Sequence, residues 1–327
     1  MNGLELHFGG SSTVSIRYTT HSPSEAKNIA RVTGMRRRKR TEDNNKRGTL
    51  LAGIAVVTLA TNLPGPAAAA LLCKFGASVT KVEPPGGDAM ARFCPAWYRA
   101  LSAGQRIISL DLKKPKDFAR FEKLLSKTDL LLTASRPAAL QRLSLGWQRI
   151  HRKFPSLCQV ALVGHAAPRD HVPGHDLTYL AGVGLLEPPA MPRTLVADLA
   201  SAERLVSTGL ALLLARGRTG RGGYAQVPIA EVAEDFSKPL RYGVTAPSGV
   251  LGGGTAGYNV YRTSDGWIAV AALEPHFWKN LQTELGVANA NHEMLTASFI
   301  TRKSEEWERW AAQRDLPIAA IRRSGLD

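Results

Sequence analysis

Cysteine is scarce in this chain. Its 327 residues hold three, Cys73, Cys94 and Cys158, widely spaced, with no CxxC pair and no histidine pair nearby. That pattern excludes a disulfide scaffold and a structural zinc module, and it fits small buried hydrophobes in a reducing compartment. Acidic residues are also short: 27 Asp and Glu stand against 42 Lys and Arg, for a net charge of +15. Such a balance suits an anionic ligand, either nucleic acid or a phosphorylated small molecule, and does not choose between them. No uninterrupted apolar run is long enough to span a bilayer. Residues 51–73 carry no charge and follow a basic cluster, but Thr61-Asn62-Leu63-Pro64-Gly65-Pro66 interrupts them. Two prolines and a glycine would break a spanning helix, so a strand at 54–59, a turn and a helix at 66–75 are the better reading than a signal or anchor.

Nucleotide fingerprints are missing as well. Residues 252–257 (GGGTAG) match GxGxxG in letters only, because the pattern that follows is a hairpin and not a helix. Residues 217–223 lack the GK[ST] of a phosphate loop and read as a turn.

What is present is globular: 44% hydrophobic and 21% charged, enough for roughly two domains. Residues 1–50 are polar, basic and aperiodic, and carry +6 of the net charge. They read as a disordered extension. The RRRKR run at 36–40 would suit nucleic acid, but a solvated tail, with Met35 an internal start, is the simpler reading. From residue 51 onward strands alternate with helices: strands at 78–82, 107–110, 129–133 and 157–164, helices at 117–127 and 137–143. This predicts a doubly wound parallel α/β sheet over 51–216. Residues 174–216 read as helical. Over 217–327 a strand at 224–229, a hairpin around Ser264-Asp265-Gly266 and a closing helix at 305–314 predict a smaller α+β domain.

Four segments place reactive side chains near turns: SRP (135–137), GHDLTY (174–179), TLVADL (194–199) and ALEPHFW (272–278). Singly, each has a structural explanation; Asp176 or Asp198 would serve as a helix cap, for example. Together with 51–88, SLDLKKP (109–115), PGHDLTYLAGVGLL (173–186) and YRTSDGWIAVAALEPHFW (261–278), they run in an order that resembles the class III CoA-transferases of the CaiB/BaiF type. Within that family the resemblance is strongest to the α-methylacyl-CoA racemases. It implies a CoA-binding α/β large domain, an interlocked homodimer in the cytoplasm with each site built from both subunits, no metal and no prosthetic group, and coenzyme A as part of the substrate. By position, Lys113 and Arg136 would grip CoA phosphates, as charge-assisted donors to phosphate oxygens do. The racemase pattern implies His175 and Asp198 as the two α-carbon bases, with Glu274 orienting a base. The transferase pattern implies Asp176 as a nucleophile that forms an aspartyl-CoA thioester. The sequence departs from the family at the arginine that stacks on adenine, here Pro84 or Pro85, and at the glycine-rich loop, here 164–170 (GHAAPRD). It also ends before the segment by which relatives return to the large domain.

Residues 1–48 are therefore expected to be dispensable. A chain beginning at Gly48 should keep its melting temperature and its affinity for CoA; loss of soluble protein would show that the extension packs on the body.

Overall fold

The computed structural model describes residues 50–322, so the extension and its RRRKR run lie outside the described residues. The chain enters through β1 (Ala55–Thr58) and turns into α1 (Pro64–Lys74), with prolines in its first turn, where the backbone N–H groups have no helical partner to lose. The apolar run at 51–73 is thus a strand of the sheet and a helix packed on one face of it. Gly65 is required there, since a Cβ would overlap that of Ala60. Next come β2 (Ser78–Glu83), the short α2 (Met90–Phe93), α3 (Pro95–Ser102) and β3 (Arg106–Ser109). They are followed by α4 (Pro115–Leu125), β4 (Leu130–Thr133), α5 (Pro137–Arg142), α6 (Trp147–Lys153) and β5 (Cys158–Val163). With β6 (Tyr224–Pro228) the sheet has the order β3-β2-β1-β4-β5-β6, with every pair parallel.

Both faces of this sheet are covered, so every residue of β4 and β5 is buried, Gln159 included. The alternation still sorts them. Leu130 and Leu132 face α1 and the long α8 (Val196–Thr219), while Leu131 faces Phe121 of α4 and Ile150 of α6.

Two expectations are corrected. Residues 174–216 are not one helical stretch: α7 (Asp176–Gly182) ends, and α8 begins only at Val196. Gly184 at φ 77° and the prolines at 188, 189 and 192 break the segment between them. The boundary between the units also moves. The strand at 224–229, assigned above to the smaller unit, is β6 (Tyr224–Pro228); it pairs parallel with β5, from Gln159↔Tyr224 to Val163↔Pro228. The helix α9 (Ile229–Arg241) then packs back on α8, so the large layer extends well past residue 216.

The smaller layer is antiparallel, ordered β7-β8-β9 from β7 (Tyr258–Arg262), β8 (Trp267–Ala271) and β9 (Ile318–Ala320). The hairpin expected at Ser264-Asp265-Gly266 joins β7 to β8. Asp265 accepts from the backbone N (2.8 Å) and the hydroxyl (3.1 Å) of Ser304, anchoring α12 (Ser304–Ala312). The other helices here are α10 (Pro275–Leu285) and α11 (His292–Phe299), closed around Tyr261, Leu281, Phe299 and Trp307. No glycine-loop helix exists after residue 257, where β7 starts.

One buried cation ties the large layer together. Lys81, 1% exposed, reaches Glu83 Oε1 at 2.9 Å and Asp88 Oδ2 at 2.7 Å, and its ammonium sits over the Tyr98 ring. Tyr98 donates to Glu83 Oε1 at 2.8 Å; burial first, and then Glu83, push its phenol up to about 12. Asp88 Oδ1 also accepts from the amides of Asn62 and Met90. Strand β2, the Pro-Pro-Gly-Gly loop and the start of α1 thus meet at one ammonium. Lys81→Met should cost about 3–5 kcal/mol in urea denaturation, because two carboxylates would stay buried without their cation. A cost below about 1 kcal/mol would mean that the loop does not depend on it.

Candidate active site

Parallel strands deliver the loops at their carboxyl ends to one edge, and a crevice opens where the strand order reverses, here between β1 and β4. A cavity of about 250 Å³ lies there. Thr61 and Asn62 after β1, Arg136 after β4, His175 at the start of α7 and Asp198 in the first turn of α8 line it. A second cavity, about 230 Å³, is lined by Lys113, Pro84, Pro85 and Ser135, and shares Thr61 with the first. Arg136, His175 and Asp198 are thus brought to one pocket, with Lys113 in the adjoining one. Asp176 and Glu274 line neither cavity. Glu274 is exposed and stands before Pro275 at the N-cap of α10, on the smaller layer.

His175 is positioned by its backbone. Its N–H donates to Thr178 Oγ1 at 3.0 Å, and that hydroxyl donates to the His175 carbonyl at 2.8 Å. The imidazole is left exposed at the cavity. Asp176 does the opposite: it is 3% exposed, and its Oδ1 accepts from the amide of Asp198 at 2.9 Å. Since Leu195 offers α8 no side-chain cap, the cap comes from α7 instead. Asp176 Oδ2 is buried without a partner among the described residues.

Asp198 is held out of its ordinary range. Burial is the largest cause, the Asp176 charge the second, with His175 opposing both, and its carboxyl is pushed up to about 6. Tyr179 was quoted above within GHDLTY but given no role. It lines this cavity as well as a wider one of about 810 Å³ that holds Arg169 and Glu231. No sequence signal marks it, because His175 is the extended N-cap residue and the spacing of four does not set the two on one helix face.

The model of CoA-transferase family III matches residues 51–324. The chain is 34% identical over 255 residues to the alpha-methylacyl-CoA racemase of Homo sapiens, covering 72% of this chain and 65% of that one. It is 29% identical over 262 residues to the beta subunit of succinyl-CoA–L-malate CoA-transferase of Chloroflexus aurantiacus, covering 72% and 65%. The chain therefore spans just under two thirds of the length of these curated relatives. Among solved structures it is similar in fold to the hypothetical protein Rv3272 of Mycobacterium tuberculosis, with a TM-score of 0.74, 24% identity and 84% of each chain covered.

The raised Asp198 carboxyl has a consequence for stability. A folded-state value above the unfolded one means that the native state holds this proton more tightly. The stabilisation is full below the ordinary value of 3.8 and is lost as pH rises through about 6. At pH 8 the ionised Asp198 should therefore cost the fold about 3 kcal/mol relative to pH 3.5. Asp198→Asn should flatten that part of the urea-denaturation profile; an unchanged slope between pH 4 and 7 would contradict the shift.

Proposed function

We propose that this chain, which belongs to CoA-transferase family III, is a CoA-thioester enzyme that inverts the α-carbon of a 2-methylacyl-CoA by proton transfer through an enolate. The observation that carries the reading is a pair of titratable groups of different kind, His175 and Asp198, on one cavity at the crevice of the sheet. Inversion needs a base on each face of the α-carbon, one ionised while the other holds a proton. In one direction the Asp198 carboxylate takes the α-proton, the C–H electron pair moves into the thioester, and charge collects on its oxygen. The His175 imidazolium then delivers its proton to the opposite face. In the other direction neutral His175 takes the proton and protonated Asp198 returns one. A carboxyl near 6 suits both roles at neutral pH far better than an ordinary one.

CoA enters as part of the substrate. Arg136 beside the bases and Lys113 in the adjoining cavity supply the cations its phosphates need. Proton exchange between two side chains requires no prosthetic group. Glu274, exposed on the smaller layer, would join this pocket as a contribution from a second copy, in a homodimer acting in the cytoplasm.

A second reading keeps one observation in its favour. The unpartnered Asp176 Oδ2 is available as a nucleophile for CoA transfer between acids. Against it stand the burial of that carboxylate and the engagement of Oδ1 with Asp198.

Incubation with a 2-methylacyl-CoA in D₂O separates the two. His175→Ala should abolish inversion but retain deuterium exchange of the enantiomer that Asp198 deprotonates, and Asp198→Ala should show the mirror pattern. Acyl-aspartate trapped by hydroxylamine at Asp176, with no α-deuterium, would overturn the racemase reading. For the enantiomer that Asp198 deprotonates, wild-type kcat/KM should rise as pH passes through about 6, where Asp198 ionises. Arg136→Ala should weaken CoA binding by about 1.5–3 kcal/mol in calorimetry; unchanged affinity removes Arg136 from the site.

A further inference from the structure

We propose that the Tyr179 hydroxyl is a catalytic hydrogen-bond donor to the thioester oxygen of the bound acyl-CoA, serving both directions of the inversion; this rests on the racemase reading above. Tyr179 is 5% exposed, yet it lines the cavity shared with Arg136, His175 and Asp198. Its seat is narrow. A Cβ on Gly164 would stand 2.5 Å from the hydroxyl oxygen, and one on Gly174 would stand 2.6 Å from it. Two glycines from the end of β5 and the start of α7 therefore make the room this phenol occupies. The His165 ring meets it edge-on at 5.4 Å. His175, the extended N-cap residue of α7, and Tyr179, within the helix, reach the same cavity.

The hydroxyl finds no hydrogen-bond partner among the described residues; only burial and the charges of Asp198 and Arg136 act on it. The ring is buried, but its oxygen is not one of the buried unpartnered atoms; it opens on the cavity, where a ligand oxygen can accept its hydrogen bond. Burial first, and Asp198 second, hold the phenol above its usual range against the smaller pull of Arg136. It therefore keeps its proton and acts as a donor, never as a base, at the pH where Asp198 titrates. When the α-proton leaves for Asp198 or His175, the electron pair moves into the thioester and negative charge builds on its oxygen. A fixed O–H beside that oxygen is worth more to the enolate than to the ground state. Each base serves one face of the α-carbon, whereas the oxygen is common to both enantiomers.

Tyr179→Phe keeps the ring in its seat and removes only the hydroxyl. Deuterium exchange from each enantiomer of a 2-methylacyl-CoA should fall by about tenfold or more, with melting temperature and CoA affinity unchanged. Exchange within about twofold of wild type, or loss for one enantiomer alone, overturns the proposal. A second measurement needs no turnover. Affinity is compared for 2-methylpropanoyl-CoA and for the S-(2-methylpropyl) thioether of CoA, which lacks the carbonyl. The variant should weaken the thioester by about fivefold and leave the thioether unchanged; equal effects on both overturn the assignment. Absence of exchange in the wild type counts against the racemase reading alone, and the affinity pair then decides Tyr179.

Discussion

The hydrogen bond from the Asp198 amide to the Asp176 carboxylate couples the two helices that carry the proposed bases. It fastens the first turn of α8 to the first turn of α7, so His175 and Asp198 reach the cavity from backbones locked to each other. The same contact buries Asp176 beside Asp198, and that neighbouring charge, after burial itself, raises the Asp198 carboxyl. Position and proton affinity are therefore set by one arrangement. A positioned carboxylate with an ordinary affinity would be a weak base toward an α-proton.

The Lys81 cluster does comparable work on the other side of the crevice. A lysine in the interior is tolerated only because Glu83, Asp88 and the Tyr98 ring surround it, and these partners come from a strand end, a loop and a helix. With Asp88 also holding the Asn62 amide, the turn after β1 cannot move independently of the loop after β2. Thr61, in that turn, borders both cavities. This network fixes the relation between the Lys113 cavity and the one lined by His175 and Asp198.

Much of the architecture was legible in order and period. Strands β1 to β5 and the helices α1, α4 and α5 lie within a few residues of where alternation and turn chemistry place them, whereas α2, α3 and α6 were not read from the sequence. The errors have local causes. Residues 183–195 share the apolar character of the helices around them, and only their prolines and Gly184 mark the break. Strand β6 follows a long helix and precedes another, so the chain pattern alone does not reveal that it completes the parallel sheet; that depends on a partner, β5, reached across α7 and α8.

The sequence by itself determined the chemistry available: which carboxylates, imidazoles and cations exist, in what order, and on which segments they begin helices or end strands. That follows from covalent order and local propensity. Only the tertiary structure decided their use. Asp176 and Asp198 are both aspartates in first helical turns, indistinguishable by any local rule, yet one is consumed as a buried cap and the other opens on a cavity. Glu274, adjacent in pattern to the other site residues, stands on a separate layer. Tyr179, without mark in the letters, fills the space that two glycines leave beside the cavity of His175 and Asp198. Burial, neighbouring charge and hydrogen-bond occupancy are properties of the packed chain, and they turn equal side chains into unequal groups.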